Sequence, residues 1–338
     1  RPIFLEGWDD LNIEQVFIEQ PQVTPVQADL KASVRLTTEH HEKLIAEVKC
    51  DSRILAKSEV ETQPGANRLT LPFTIKKPRL WWSNGLGKAN LYSFRIDLKK
   101  DGKVVASREV TTGLRSLKLV RRQDTQGETF YFELNGIPVF AKGVNAIPND
   151  VFLPRISRSD YEKMVTDAAN ANMNMIRIWG GGIYEDDYFY ELCDRHGIMV
   201  WQDFTMACAN YPQQEWFFRL IEKEVTSIVM KLRNHPSILL WAGDNEVDER
   251  SLGMGFEEGN STNEITGVSS GASTFWTMVS ASTTALSLRT AEMERSQAST
   301  MDARNASGRK PAYRWAMPSR LTAPPAAILA AIWSRKLP

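Results

Sequence analysis

The sequence predicts a multi-domain chain: an antiparallel β-sandwich, then the first half of a (β/α)8 barrel, then an irregular C-terminal tail. Three observations carry this. Up to about residue 112, apolar and polar residues alternate with period two in short runs, as strands with one buried face require. From residue 113, short apolar runs alternate with amphipathic helical segments, as a parallel sheet requires. From about residue 250 neither period persists, and Ser, Thr, Ala and Arg dominate.

The 338 residues are enough for two or three domains. Lys plus Arg and Asp plus Glu both total 41. The zero net charge gives no electrostatic case for nucleic acid or an anionic membrane as partner. Cys50, Cys193 and Cys208 have neither disulfide-framework nor zinc-site spacing. His40, His41, His196 and His235 do not cluster as ligands in the sequence, so no metal or other cofactor is expected. No apolar run reaches the ~18 residues of a membrane span. No signal peptide is visible, and the opening Arg1 to Trp8 reads as the middle of a fold, which predicts a truncated N-terminus.

The period-two runs are Ile13 to Glu19, Asp29 to Thr37, Lys43 to Lys49, Arg68 to Ile75, Leu91 to Leu98 and Lys103 to Val110. Turn signals at Gln63-Pro64-Gly65 and Asp101-Gly102 separate them, giving six or seven strands. Trp81, Trp82 and Tyr92 fit core or interface positions; a sugar-stacking role for the Trp pair is the alternative. Phe130 to Leu134 and Ile137 to Phe140 flank Asn135-Gly136 as a hairpin, whose second strand is expected to continue to Asn145.

Ser159 to Glu162 has the spacing of a capping box opening a helix that buries Tyr161, Met164, Val165, Ala168 and Ala169. Met175 to Trp179 is a strand closed by Gly180-Gly181-Gly182. Glu185 to His196 is a helix capped by Gly197, and Ile198 to Phe204 a strand. Trp216 to Leu232 is an amphipathic helix carrying Trp216, Phe217, Leu220, Ile228 and Leu232. That helical stretch ends near Asn234, Pro236 cannot continue it, and Ile238 to Trp241 reads as a fourth buried strand.

Each strand ends in polar residues: Asn145, Arg177 and Trp179, Asp203, then Asn245 and Glu246. Convergence at one end of several parallel strands is the barrel pattern, with the site at the C-terminal face. A doubly wound nucleotide-binding sheet is the competitor, but Gly180-Gly181-Gly182 lacks the G-x-G-x-x-G spacing. Two readings of Glu246 fit its own segment, a solvated loop charge or a site group. Arg177 and Asp203 likewise fit a purely structural ion pair.

Together Lys142-Gly143-Val144-Asn145, Arg177-Ile178-Trp179-Gly180-Gly181-Gly182, Trp201-Gln202-Asp203-Phe204, Ala207-Cys208-Ala209 with Tyr211-Pro212, and Arg233-Asn234-His235-Pro236-Ser237 with Asn245-Glu246 resemble the β-mannosidases of glycoside hydrolase family 2. The resemblance covers about residues 1 to 249, including Leu80-Trp81-Trp82 and Asn84-Gly85, and the Arg-Ile-Trp-Gly-Gly-Gly run favours β-mannosidases over the family's β-galactosidases and β-glucuronidases. It implies that residues 1–9 are the last strand of an N-terminal jelly-roll sugar-binding domain and 10–112 an immunoglobulin-like β-sandwich. Residues 113–249 would be the N-terminal half of a TIM-barrel catalytic domain (strands one to four), and 250–338 a non-homologous, disordered tail.

The implied activity is that of a retaining exo-β-mannosidase, with a β-mannoside oligosaccharide as substrate and terminal non-reducing β-D-mannose released. Glu246 would be the acid/base and Asn245 would bond the sugar 2-hydroxyl. Trp179 would wall the pocket, while Arg177, Asp203, Asn145 and Asp150 would line or brace it. Such enzymes place two carboxyl groups about 5–5.5 Å apart, and the acid/base needs a raised pKa, expected here from partial burial near a second carboxylate.

The family's nucleophile follows strand seven. Glu257, Glu258, Glu264, Glu292 and Glu294 match it in residue type alone, so the nucleophile is unassigned and the chain as written is expected to be inactive. Ala146 stands where an aromatic is usual, and Asp244 replaces a common Asn. Beyond Glu249 the resemblance stops abruptly, as a shifted reading frame would make it stop. The alternatives are a non-catalytic carbohydrate-binding remnant with Trp179 and Trp201 stacking on sugar, another family 2 glycosidase, or a faulty gene product whose half barrel does not fold. Periplasm, lysosome and cytoplasm are all compartments in which the family works.

Overall fold

A computed structural model describes residues 5–125, 127–209, 211–212 and 214–247; the tail from residue 250, with the five glutamates named in it, lies outside the described residues. Seven strands come first: β1 (Leu11–Val23), β2 (Gln27–Thr38), β3 (Lys43–Cys50), β4 (Arg53–Glu61), β5 (Gly65–Lys76), β6 (Tyr92–Lys100) and β7 (Lys103–Thr112). They form two antiparallel sheets, β1-β2-β5 and β4-β3-β6-β7. Alternation explains the pairing: Ala28, Leu30, Ala32, Val34 and Leu36 of β2 are all buried on one face. They meet Val48, Leu71, Phe94 and Ile96 in a single core. The hairpins β3–β4 and β6–β7 turn on left-handed pairs, Asp51-Ser52 and Asp101-Gly102, whose twist matches that of the strands. β4 escapes the period-two pattern because it is a charged edge strand with six of nine residues exposed. Of residues 1–9, expected as a jelly-roll strand, residues 5–9 form no strand, since none of the described sheets pairs with them.

On the outer face of the second sheet, Glu47 and Asp97 lie directly opposite each other and both are buried. Like charges so placed repel, and cations offset this. Lys99 reaches Glu47 at 2.8 Å, while Lys49 and Arg95 each reach Asp97 at 2.7 Å. Ser107 also donates to Asp97 at 2.8 Å. Burial works to raise the Asp97 pKa, but the hydrogen bonds from Lys49, Ser107 and Arg95 outweigh it and hold the carboxyl at about 2.

Next come β8 (Leu117–Val120), the two-residue β9 (Gln123–Asp124) and β10 (Gly127–Glu128), then β11 (Tyr131–Leu134) and β12 (Ile137–Val139). β11 and β12 turn on Asn135-Gly136, both left-handed, and β8 adds a third strand. β12 does not run on to Asn145: the chain leaves this sheet at Phe140 and re-enters another as β13 (Gly143–Ala146). Asn174 holds the crossover. Its side chain donates to Phe140 O at 2.9 Å and accepts from Lys142 N at 2.8 Å.

The remaining elements alternate: α1 (Arg158–Asn170), β14 (Met175–Ile178), α2 (Asp187–His196), β15 (Met199–Asp203), α3 (Glu215–Leu232) and β16 (Ile238–Ala242). Strands β13-β14-β15-β16 pair in parallel and in chain order. Residues from all three helices pack with Ile176, Ile178, Val200 and Ile238. Met175, Met199 and Leu239 instead pack with Leu117, Phe132, Leu134 and Val139, so the β8-β11-β12 sheet meets the N-terminal ends of the strands. Helices against one set of faces and a strand order without reversal differ from the doubly wound arrangement. Among the described residues no helix is long and apolar enough to cross a membrane.

Two details differ from the sequence expectation. The capping box of α1 is Ser157 with Asp160, one turn-start earlier than Ser159 with Glu162, because Ser157 has the extended backbone of a cap and Asp160 reaches its N–H at 2.7 Å. In α3, Trp216 and Leu220 are 56% and 53% exposed, while Ile228, Val229 and Leu232 are buried. The sheet core receives the last turns of α3; Phe217, Phe218 and Ile221 pack instead near Met206 and Val247.

The sandwich and the parallel sheet are joined by buried and half-buried polar groups. The Asn234 side chain accepts from Ile18 N at 3.1 Å and donates to Val16 O at 2.8 Å, pairing with the free edge of β1 as another strand would. Arg233 lies over the Phe17 ring at 4.2 Å and donates to Gln15 at 2.8 Å. Arg115 donates to Pro236 O at 2.6 Å and Ile238 O at 2.5 Å, at the start of β16. Its burial lowers its pKa to about 10, which leaves it charged at neutral pH. Asp194 accepts from Ser237 N at 3.1 Å and lies 2.6 Å from His235 Nδ1. Burial works to lower the His235 pKa, and the Asp194 carboxylate outweighs it and raises it. Trp81 is buried and donates to Asp194 O at 2.8 Å.

Because the folded pKa of Asp97 lies below its unfolded value, its contribution is present above about pH 4 and lost as pH falls toward 2. Between about pH 5 and about pH 2 the urea-unfolding free energy of the wild type should fall by on the order of 1 kcal/mol more than that of Asp97→Asn, after allowance for solvent near the lysine heads. Asn234→Ala, which strips Ile18 N and Val16 O of their partner, should lower unfolding free energy by about 2 kcal/mol. An unchanged urea midpoint would show that water replaces the side chain without loss.

Candidate active site

Sequence places polar residues at the C-terminal ends of β14, β15 and β16, and the parallel register brings them level. Asn145 pairs with Arg177 and Arg177 with Trp201. Side chains two apart share a face, so Met175 and Arg177 point with Met199, Trp201 and Asp203 away from the helices. There Arg177 grips Asp203 through two nitrogens, at 3.2 Å and 2.6 Å. The same guanidinium donates to Asn245 Oδ1 at 2.8 Å. Asp203 is fully buried and also accepts from Gly180 N at 3.1 Å and Trp201 Nε1 at 2.9 Å. Burial pushes the Asp203 pKa up, against Arg177, Gly180 and Trp201, which pull it down.

Two glycines make the close approach possible. A Cβ at Gly180 would lie 2.6 Å from Phe204 O and 2.7 Å from Met206 O, displacing the N–H that bonds Asp203. A Cβ at Gly181 would lie 2.0 Å from the Trp179 ring, which lies half-buried across it.

Beyond β16 the chain turns sharply. Asn245 N donates to Met206 O at 3.0 Å and Cys208 N donates to Asn245 O at 2.9 Å. Asn245 Nδ2 donates to Cys208 Sγ at 3.4 Å, and that thiol donates to Glu246 Oε2 at 3.3 Å. A continuous polar chain therefore runs Asp203, Arg177, Asn245, Cys208, Glu246.

The expected residues are thus only partly assembled. Arg177, Asp203, Asn245 and Glu246 are linked, and Trp179 precedes the glycine that binds Asp203. Asn145 is exposed at the same strand level. Asp150 lies in a separate loop, where it accepts from Arg155 and from Phe152 N, each at 2.7 Å. The Arg155 hydrogen bond, then that from Phe152, lowers its pKa. Glu246 is exposed, not partly buried as expected, because it follows the sheet instead of lying within it.

Sequence reasoning left Cys208 without a role and gave Trp201 only stacking. Trp201 is two residues from Asp203 on one face, a signal that was present; the place of Cys208 depends on a loop fold no periodicity encodes. Two other features lie outside the cluster. Asp10, Glu39 and His40, all exposed, bring ligand atoms within 4.8 Å of one another, although the histidines show no ligand spacing in the sequence. A groove of about 630 Å3 between the sandwich and α3 is lined by Gln15, Arg35, Glu222, Lys223 and Met230 among others, none of them an expected site residue.

A β-sandwich joined to a parallel α/β sheet with polar groups at its strand ends is the arrangement of a class of glycoside hydrolases. Residues 16–115 match the profile of glycosyl hydrolases family 2. Beyond that segment too, the chain is similar to β-mannosidases. It is 40% identical to the β-mannosidase of Capra hircus over 208 residues, 60% of this chain and 24% of the goat protein. It is 34% identical to the β-mannosidase B of Aspergillus terreus over 269 residues, 74% of this chain and 31% of the fungal protein. The crystal structure of the Dictyoglomus thermophilum β-D-mannosidase superposes with a TM-score of 0.67 at 39% identity, over 72% of this chain and 30% of that one. An exo-chitosanase from Amycolatopsis orientalis shares the fold at 18% identity and a TM-score of 0.61, over 69% of this chain and 28% of that one. The chain spans about a quarter to a third of the length of these relatives.

Asp203→Ala removes the carboxylate from a mostly buried guanidinium and should cost about 3 kcal/mol, with Asp203→Asn costing less. Urea denaturation of both variants measures this. Equal, small losses would mean that water solvates Arg177 in place of Asp203.

Proposed function

We propose that this chain carries the acid/base half of a retaining exo-β-mannosidase site. The observation that carries the reading is the bonded series Asp203, Arg177, Asn245, Cys208, Glu246 at the C-terminal ends of parallel strands, in a chain similar to β-mannosidases. In this reading β13 to β16 are strands one to four of a (β/α)8 barrel, a form supported by their consecutive order and one-sided helices. Residues 10–112 are an immunoglobulin-like sandwich and 113–249 belong to the half barrel. The three-plus-four strand division and the family match over residues 16–115 support the sandwich limits.

Each residue then has a task. Glu246 protonates the leaving oxygen of a terminal β-mannoside and later activates water. Asn245, its Oδ1 held by Arg177, presents its amide to the sugar 2-hydroxyl. Trp179 walls the pocket, and Asp203 fixes Arg177 by a two-point grip. Asn145 and Asp150 line the rim. Asp203 is already engaged by three donor groups, which argues against it as nucleophile. Among the described residues no other carboxylate is bonded into the series, so these residues supply one half of the reaction.

The purified chain with an aryl β-mannoside tests this. No turnover is expected, because loss of a nucleophile removes most of the rate. Turnover that Glu246→Gln abolishes would overturn the incomplete-site reading. Turnover of an aryl β-galactoside in preference to the mannoside would overturn the substrate assignment.

A further inference from the structure

The loop after β15 and the turn after β16 meet at one point. Ala207 and Asn245 form a parallel bridge outside the sheet. Two backbone bonds make it, Asn245 N to Met206 O and Cys208 N to Asn245 O. Tyr211 fastens the loop from behind, its hydroxyl accepting from Ala207 N at 2.8 Å. On either side of the bridge stands a residue with left-handed backbone, Cys208 at φ 51° and Glu246 at φ 56°. For a residue with a side chain this costs about 1–3 kcal/mol, and it persists where surrounding contacts impose it. Here its effect is to turn the two side chains toward each other, thiol to carboxylate at 3.3 Å.

We propose that Cys208 is a positioning residue for Glu246. Its S–H donates to Glu246 Oε2, while its sulfur accepts from Asn245 Nδ2. One thiol thereby sets the direction of both residues that the proposed reaction uses, and links them to the Arg177–Asp203 pair. The chemistry suits the task. An acid/base must be oriented yet keep a proton available. A thiol is a weak donor, so it orients a carboxylate while stabilising its charged form less than a hydroxyl or ammonium would. The assignment rests on reading Glu246 as the acid/base, but its geometry is independent of any sugar.

The test is the pH dependence of iodoacetamide alkylation at Cys208 in the full chain, read by peptide mass spectrometry. Cys50 and Cys193 are buried, so Cys208 is the reporter. The thiolate is the reactive form, and a neighbouring carboxylate disfavours it. Glu246→Gln should lower the midpoint of the alkylation curve by about one pH unit and raise the rate below it by about tenfold. Asp167→Asn, an exposed carboxylate on α1 paired with Lys163, should leave the curve in place, and the circular dichroism of both variants should match the wild type. An unshifted midpoint in Glu246→Gln overturns the assignment, because a thiol that merely fills space does not sense the charge. A chain that fails every sugar test but shows the shift retains the Cys208–Glu246 coupling and loses only the reaction.

Discussion

Strand β16 is held at its base by buried charge. Arg115 bonds the carbonyls of Pro236 and Ile238, and Asp194 bonds Ser237 N and His235. A charge out of water is costly unless fully paired, so this knot admits one arrangement of the residues it joins. It fixes where β16 begins, and beyond the far end of this five-residue strand the chain reaches Asn245 and Glu246. Arg115 follows directly from the sandwich, and Asn234 closes the edge of β1. The sandwich therefore acts as a bracket for the sheet, through Asn84 as well, whose amide bonds the carbonyls of Ala169 and Met173 at the end of α1.

The far end of the sheet repeats the device with a different outcome. Asp203 is buried and held by Arg177, Gly180 and Trp201, which leaves the Arg177 guanidinium to orient Asn245. Moving outward along the series, burial gives way to exposure: Asp203 is closed to solvent and Glu246 is open to it.

Much of this was legible in the sequence. Alternation located six sandwich strands, and the change of period at residue 113 located the parallel sheet with its helices. β4 was hidden because an exposed edge strand needs no apolar alternation. The hairpin ends sooner than its sequence suggests, because Asn174, more than thirty residues away, captures the backbone of Phe140 and Lys142 and nothing local encodes this. Trp216 and Leu220 belong to a helical apolar stripe but are exposed among the described residues, while Phe217, Phe218 and Ile221 beside them pack near Met206 and Val247. The strand-end residues were found because parallel register makes position along a strand equivalent to position in space. Asp150 and Cys208 sit on loops, where that equivalence fails: Asp150 pairs with the exposed Arg155, while Cys208 joins the cluster.

The central claim is that this cluster recognises a β-mannoside. The most direct measurement is a titration of the 15N-labelled chain with methyl β-mannoside, following the tryptophan indole resonances. The account predicts that Trp179 and Trp201 shift together, while the buried Trp81, at the junction with the sandwich, does not. A spectrum in which mannoside leaves Trp179 and Trp201 unmoved, or moves them no more than an equal concentration of methyl β-galactoside, would contradict it.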